Sequence, residues 1–263
     1  MSMCWAAGLV ILCNVPSQKP RSAKASELKD PAFRGFSAWV FKWFAGLERD
    51  NSRAYFNATR DRYESGVRDA LTLMLRELSA TFGGRVRVFR QQNDMRFAPA
   101  SPYKTRTYGV LESTSPAKAR RYADVSSRGL YSGSGYRRLV SDQLSRYRAA
   151  VVDDALGGRL IEAQTTALEA GLELIGDSLG SVPRGYPRDH PRAELLKHRS
   201  LLAGRLIPGD SGISREAALN HVAGSWHAAA PLTAWLDEHV GPSTLAPRER
   251  WPRRSAKPAE TAG

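Results

Sequence analysis

Asp94, Arg96, Tyr103 and Lys104 fall within eleven residues of one another in "NDMRFAPASPYKT" (93–105), a stretch stiffened by two prolines. A carboxylate beside a guanidinium can hold its planar fork in place, and such a fork grips a carboxylate or phosphate through two parallel hydrogen bonds. If 94–97 is extended, Asp94 and Arg96 share one face about 6–7 Å apart, with Met95 and Phe97 behind them. Tyr103 and Lys104 return after the prolines with a phenol and an ammonium, completing a plausible cradle for a small anion. Arg90 belongs near this group, although a change of strand phase between it and Asp94 leaves its position open. The plain structural alternative is an ion pair beside a half-buried tyrosine. Acid–base chemistry would need a group poised near neutral pH, and Tyr103 beside Lys104 is the one candidate close by.

Two further residues are secondary candidates. Arg60, on a long helix, either reaches a cleft or coats an exposed face. His190, in "RDHP", is either a base or a loop hydrogen-bonder. The Gly-rich "YSGSGY" (131–136) has a phosphate-loop look but lies in a hairpin strand and opens no helix, so its glycines are better read as allowing a close-packed helix or a bulge. No metal site is expected. His190 and His198 are eight apart, His221 and His227 six apart, and no HExxH or paired cysteines occur. Ser200 and Ser225 lie in no nucleophile elbow. Nothing points to a cofactor.

The elements that must position these groups follow from spacing. Phe36, Val40, Trp43, Phe44 and Leu47 mark a helix capped at Ser37. A longer helix is expected over 52–80, about 40 Å long, with Phe56, Tyr63, Val67, Leu71, Met74, Leu75 and Leu78 as its stripe. "RVRVF" then alternates, turning Val86 and Val88 to the core. Met95 and Phe97 have the opposite parity, so the ladder must shift phase at Gln91-Gln92-Asn93. "RYADVSS" and "GLYSGSGY" read as a hairpin about Arg128-Gly129. Helices over 141–156 and 158–170, a strand at "LELIG", a loop and helix capped by Asp189 or His190, a strand at "SLLAGRLI", and helices over 214–239 broken near Pro231 complete the chain. Blocks of helices and antiparallel strands without βαβ alternation argue for α+β.

Composition sets the outer limits. The 263 residues are 42% hydrophobic and 25% charged, those of a chain able to bury a core. The net charge is +13; residues 17–29 and 244–263 hold +3 each, leaving +7 for 30–243, since 1–16 carries no charged side chain. Only eight of the 39 basic residues are lysine. Such charge allows nucleic acid as a partner, though behind a small anion. Cys4 and Cys13 can build no disulfide framework, which fits a reducing, cytoplasmic setting. The apolar run of "MSMCWAAGLVILCNV" is too short to span a bilayer and lacks a basic n-region, so no membrane is expected as a partner.

"RQQNDMRFAPASPYKT", "GLYSGSGY" and "VPRGYPRDHPRAELLKHRSL" together resemble the bacterial family of domain of unknown function 2461, over about residues 33–243. Arg90, Asp94, Arg96, Phe97, Pro102, Tyr103, Lys104 and Thr105 match the family's R-x-x-R-D-x-R-F and S/T-P-Y-K-T pattern. Asn93 stands where the family usually has arginine, and "APA" (98–100) replaces its Lys-Asp-Lys run. Phe56, Arg60 and Tyr63 also match. The resemblance implies no established activity or cofactor. The expectation is a single α+β domain over 30–243, an antiparallel sheet packed by helices, with flexible tails at 1–29 and 244–263. Its expected function is binding a small anionic ligand through Arg90, Asp94, Arg96, Tyr103 and Lys104. The alternative is a nucleic-acid-binding or protein-interaction module.

Overall fold

The computed structural model of the protein describes residues 32–94, 96, 101–113 and 119–246. The expected extension at 1–29, residues 247–263 of the basic tail, Met95 and residues 97–100 lie outside them. Helix α1 (Ala38–Arg49) follows Ser37 and buries Val40, Trp43, Phe44 and Leu47, the stripe that the spacing predicts. After the break, Ser52 Oγ accepts from Tyr55 N at 3.1 Å and starts α2 (Arg53–Ala58).

The single helix expected over 52–80 is instead a run of pieces. α2 is followed by α3 (Arg60–Tyr63), a π-helical stretch over Glu64–Asp69 and α4 (Ala70–Phe82). At the first break the Thr59 hydroxyl donates to Tyr55 O at 3.0 Å and accepts from Trp43 Nε1 at 2.8 Å. A hydroxyl that back-bonds to the preceding turn competes with the helix ladder and bends it. The π stretch has a different cause. Tyr63, Val67 and Leu71 are spaced by four, which drifts around a helix of 3.6 residues per turn, and a wider turn cancels the drift. Every residue of the predicted stripe is buried as a result.

Strands β2 (Arg85–Val88), β3 (Arg106–Glu112), β4 (Arg120–Ser126), β5 (Gly129–Tyr136), β6 (Glu173–Ile175) and β7 (Leu201–Pro208) form one antiparallel sheet of order β2-β3-β4-β5-β7-β6. A second ribbon joins β1 (Gly35–Phe36) to β8 (Ile213–Ser214). Pairing of Val86 with Leu111 and of Thr107 with Val125 turns these side chains to one face. There they meet α1, α4 and α8 (Arg215–Ala228) in the main core. A second cluster gathers α5 (Ser141–Val152), α6 (Asp154–Glu169), α7 (Ala193–Leu196) and α9 (Ala230–His239) around Tyr147, Leu160 and Trp235.

The break between α5 and α6 comes at Asp153, earlier than the expected 156–158. Its carboxylate accepts from Leu156 N at 2.9 Å, a cap no glycine at 157 or 158 can provide. The last helices part at Ala229, just before Pro231, as the pattern predicts. Beyond Gly241 the chain stays attached through Thr244: Asp142 accepts from Ser243 Oγ at 2.9 Å and Thr244 N at 2.8 Å. Among the described residues, no helix is long and apolar enough to cross a membrane. The described residues make a single α+β domain, an antiparallel sheet packed by helices.

Candidate functional site

The strand pair β2–β3 creates the site by losing register. Phe89 N still donates to Tyr108 O, continuing the pairing of Val88 with Gly109. Farther out Gln92 bridges Tyr103, Lys104 N donates to Gln91 O and Asn93 N to Pro102 O. Two residues, Arg90 and Gln91, therefore face four, Lys104 to Thr107, in a wide bulge. The predicted phase shift is present and begins at Arg90. Val88 and Gln91 both point into the core although an odd number of steps separates them.

Burying Gln91 requires partners for its amide. Its Oε1 accepts from Thr107 Oγ1 at 2.6 Å and Tyr63 Oη at 3.2 Å, and its Nε2 donates to Lys104 O. Burial pushes the Tyr63 phenol up to about 12, so it stays a neutral donor. The bulge frees backbone carbonyls, and Lys104 takes them: its Nζ donates to Arg90 O at 2.7 Å and Gln92 O at 2.6 Å. Burial, with Arg90 nearby, lowers the Lys104 pKa. Tyr103 is buried, its ring stacked on Phe56 at 4.1 Å, and its backbone is clasped by Asn51, which donates to Tyr103 O at 3.0 Å and accepts from Tyr103 N at 2.9 Å.

Asp94 and Arg96 meet through a forked pair, Nε to Oδ1 at 2.9 Å and Nη2 to Oδ2 at 2.6 Å. Arg96 lies in a turn, its N–H donating to Asp94 Oδ1, rather than on an extended segment. Its hydrogen bonds hold the Asp94 carboxyl down at about 2. Arg60 lies at the edge of the same aromatic stack, 5.5 Å from the Phe56 ring and bonded to Asn57 Oδ1. His190 does not join the group. Its Nδ1 accepts from Arg192 N, and Arg192 is bound to Val151 O and Asp154 beside the second core.

Beside the bulge opens a groove of about 430 Å³ walled by Asn51, Asn93, Ser101, Tyr103, Lys104, Thr105, Arg106, Tyr108 and Arg137. Among the described residues, three cations line it and no carboxylate does. Arg106 and Arg137 are exposed and make no hydrogen bond or ion pair among the described residues; Arg137 lies 5.7 Å above the Tyr108 ring. Sequence reasoning missed Asn51, Arg106, Tyr108 and Arg137. No strand was expected at "TRTYG", although its alternation could have placed Arg106 and Tyr108 on one face; Arg137 reaches the groove only because β5 ends two strands away. Among the described residues, no cluster of His, Cys, Asp and Glu has the make-up of a metal site.

The described residues thus form an α+β protein with a bulged antiparallel sheet edge beside a groove lined by Lys104, Arg106 and Arg137. The chain matches the family described as "Conserved hypothetical protein (DUF2461)" over residues 39–235, and it belongs to that family. Comparison with curated proteins finds no match. Comparison with solved structures finds none either.

Proposed function

We propose that the protein binds a small anionic ligand in the groove beside the 90–105 segment. The observation that carries this reading is the lining: Lys104, Arg106 and Arg137 wall one opening with no acid among its described lining residues. Each role follows from the geometry. Arg106 and Arg137 supply forked, unpaired guanidinium groups, the type best suited to carboxylate or phosphate oxygens. Lys104 spends two of its three protons on carbonyls and adds its charge to the groove wall. Tyr103 and Asn51 fix the wall. Asp94 occupies both sides of the Arg96 fork, so Arg96 contributes long-range potential and Arg90 does the same.

The test is calorimetric titration of the full chain with inorganic phosphate. Binding should weaken about tenfold in Arg106→Ala and again in Arg137→Ala, each having lost a charge-assisted contact worth ~1.5 kcal/mol. Arg96→Ala should change it little. Absence of binding, or binding indifferent to both arginines, would refute the proposal. A ligand that is nucleic acid would instead show itself by affinity falling steeply with salt.

A further inference from the structure

The sheet face turned away from the helices carries polar groups that the anion groove does not use. Tyr108, Asp124 and Tyr131 form one cross-strand row, since Tyr108 pairs with Asp124 and Asp124 with Tyr131. Tyr122 stands two residues along β4, on the same face. Asp124 is only 7% exposed, yet its carboxylate makes no hydrogen bond or ion pair among the described residues. Arg106, Arg137 and Arg128 are near enough to favour its charge, but none reaches ion-pairing distance. A buried carboxylate without a donor is costly and uncommon.

Two buried tyrosine hydroxyls share the same want. Tyr122 Oη and Tyr131 Oη lie close enough to interact with each other, on rings 6.0 Å apart, and beyond that contact neither meets a hydrogen-bond partner among the described residues. Beneath them the sheet is bare. A β-carbon at Gly133 would come within 2.8 Å of Tyr122 Oη, and one at Gly204 within 2.7 Å of Tyr131 Oη. These two glycines face each other across β5 and β7, so they leave room for the phenols at the surface of the sheet. Gly133 of "YSGSGY" thus admits a tyrosine hydroxyl rather than phosphate.

The Asp124 carboxylate wants hydrogen-bond donors, and the two phenols want donors and acceptors beyond each other. Hydroxyl groups are the ligand chemistry that supplies both. The row adjoins the groove directly, because Arg106 and Tyr108 wall the groove and belong to the same face. We propose that Asp124, Tyr122 and Tyr131 bind the hydroxyl groups of a polyhydroxylated ligand whose anionic end lies on Arg106 and Arg137, a sugar phosphate or sugar acid. This rests on the anion-binding reading for one end of the ligand and on the orphan oxygens for the other.

Titration of the full chain with ribose 5-phosphate, inorganic phosphate and ribose separates the two. Ribose 5-phosphate should bind at least tenfold more tightly than phosphate. Asp124→Asn and Tyr131→Phe should each remove most of that gain while leaving phosphate affinity unreduced, and Arg137→Ala should weaken both ligands. Equal binding of phosphate and ribose 5-phosphate, or variants that lower both alike, would overturn the polyol site and leave the anion groove standing. Binding of ribose that Asp124→Asn abolishes, without binding of phosphate, would keep the hydroxyl site and overturn the anion reading. Failure of all three probes would overturn both.

Discussion

Replacing Asp124 with asparagine keeps the shape of the side chain and removes a charge that the fold leaves without a hydrogen-bond donor. Burial pushes this carboxyl up from 3.8 to about 6, although Arg106, Arg137 and Arg128 pull the other way. The gap of ~2 pKa units corresponds to about 3 kcal/mol at ~1.4 kcal/mol per unit. The sign follows from proton counting. Folded Asp124 holds its proton more tightly than the unfolded chain does, so its ionisation costs nothing below pH 3.8, grows through the window to 6 and is complete above it. Asp124→Asn should therefore be more stable than the parent by up to about 3 kcal/mol at pH 8, and by almost nothing at pH 4. In thermal unfolding that is a rise of roughly 6–12 °C for a domain of this size. Urea denaturation of both proteins at intervals from pH 4 to 8 measures the difference, and the other carboxylates cancel from it. A difference that does not change with pH, or an asparagine variant less stable at pH 8, would refute the reasoning by showing the charge to be paired. Gain of stability together with loss of ribose 5-phosphate binding is the signature of a strained binding group.

Other consequences are as direct. Gln91→Ala leaves the Tyr63 and Thr107 hydroxyls only each other and removes the donor to the Lys104 carbonyl, so it should cost about 1–3 kcal/mol, read by urea midpoint; a neutral result would mean that the hub does not hold the bulge. Lys104→Met leaves the Arg90 and Gln92 carbonyls without their donor, and should cost about 1–2 kcal/mol and speed amide exchange at 90–93. Asn51→Ala removes both bonds that clasp Tyr103 and should loosen 101–105 in the same assay, at a similar cost of about 1–3 kcal/mol. Asn93→Arg adds a cation to the groove wall and should tighten phosphate binding a few-fold. Unchanged affinity would show that charge at this wall position does not reach the ligand.

Much of the architecture was legible because local periodicity has few physical causes. The helix of Val40, Trp43 and Leu47, the alternation of Val86 and Val88, and the hairpin about Arg128-Gly129 each follow from side chains that must reach one core. Even the phase shift near Gln91 could be read, since Phe97 and Val88 cannot share a parity. The opening cluster was legible as residue types but not as geometry. Nothing in "NDMRF" tells that Asp94 closes the Arg96 fork in a local turn, or that Lys104 spends itself on two carbonyls which only a bulge sets free.

What the sequence determined alone is most of the elements, their buried stripes and the membership of a family, because these depend on neighbours along the chain; β3 and the β1–β8 ribbon were not among them. Tertiary structure decided the rest. It cut the long helix where Thr59 met Trp43, widened it over Glu64–Asp69, and sent His190 to the second core. It also brought Arg137 to Arg106 and set Asp124 between Tyr108 and Tyr131. Those groups come from different strands, and contact between strands depends on register and topology, which no local pattern records.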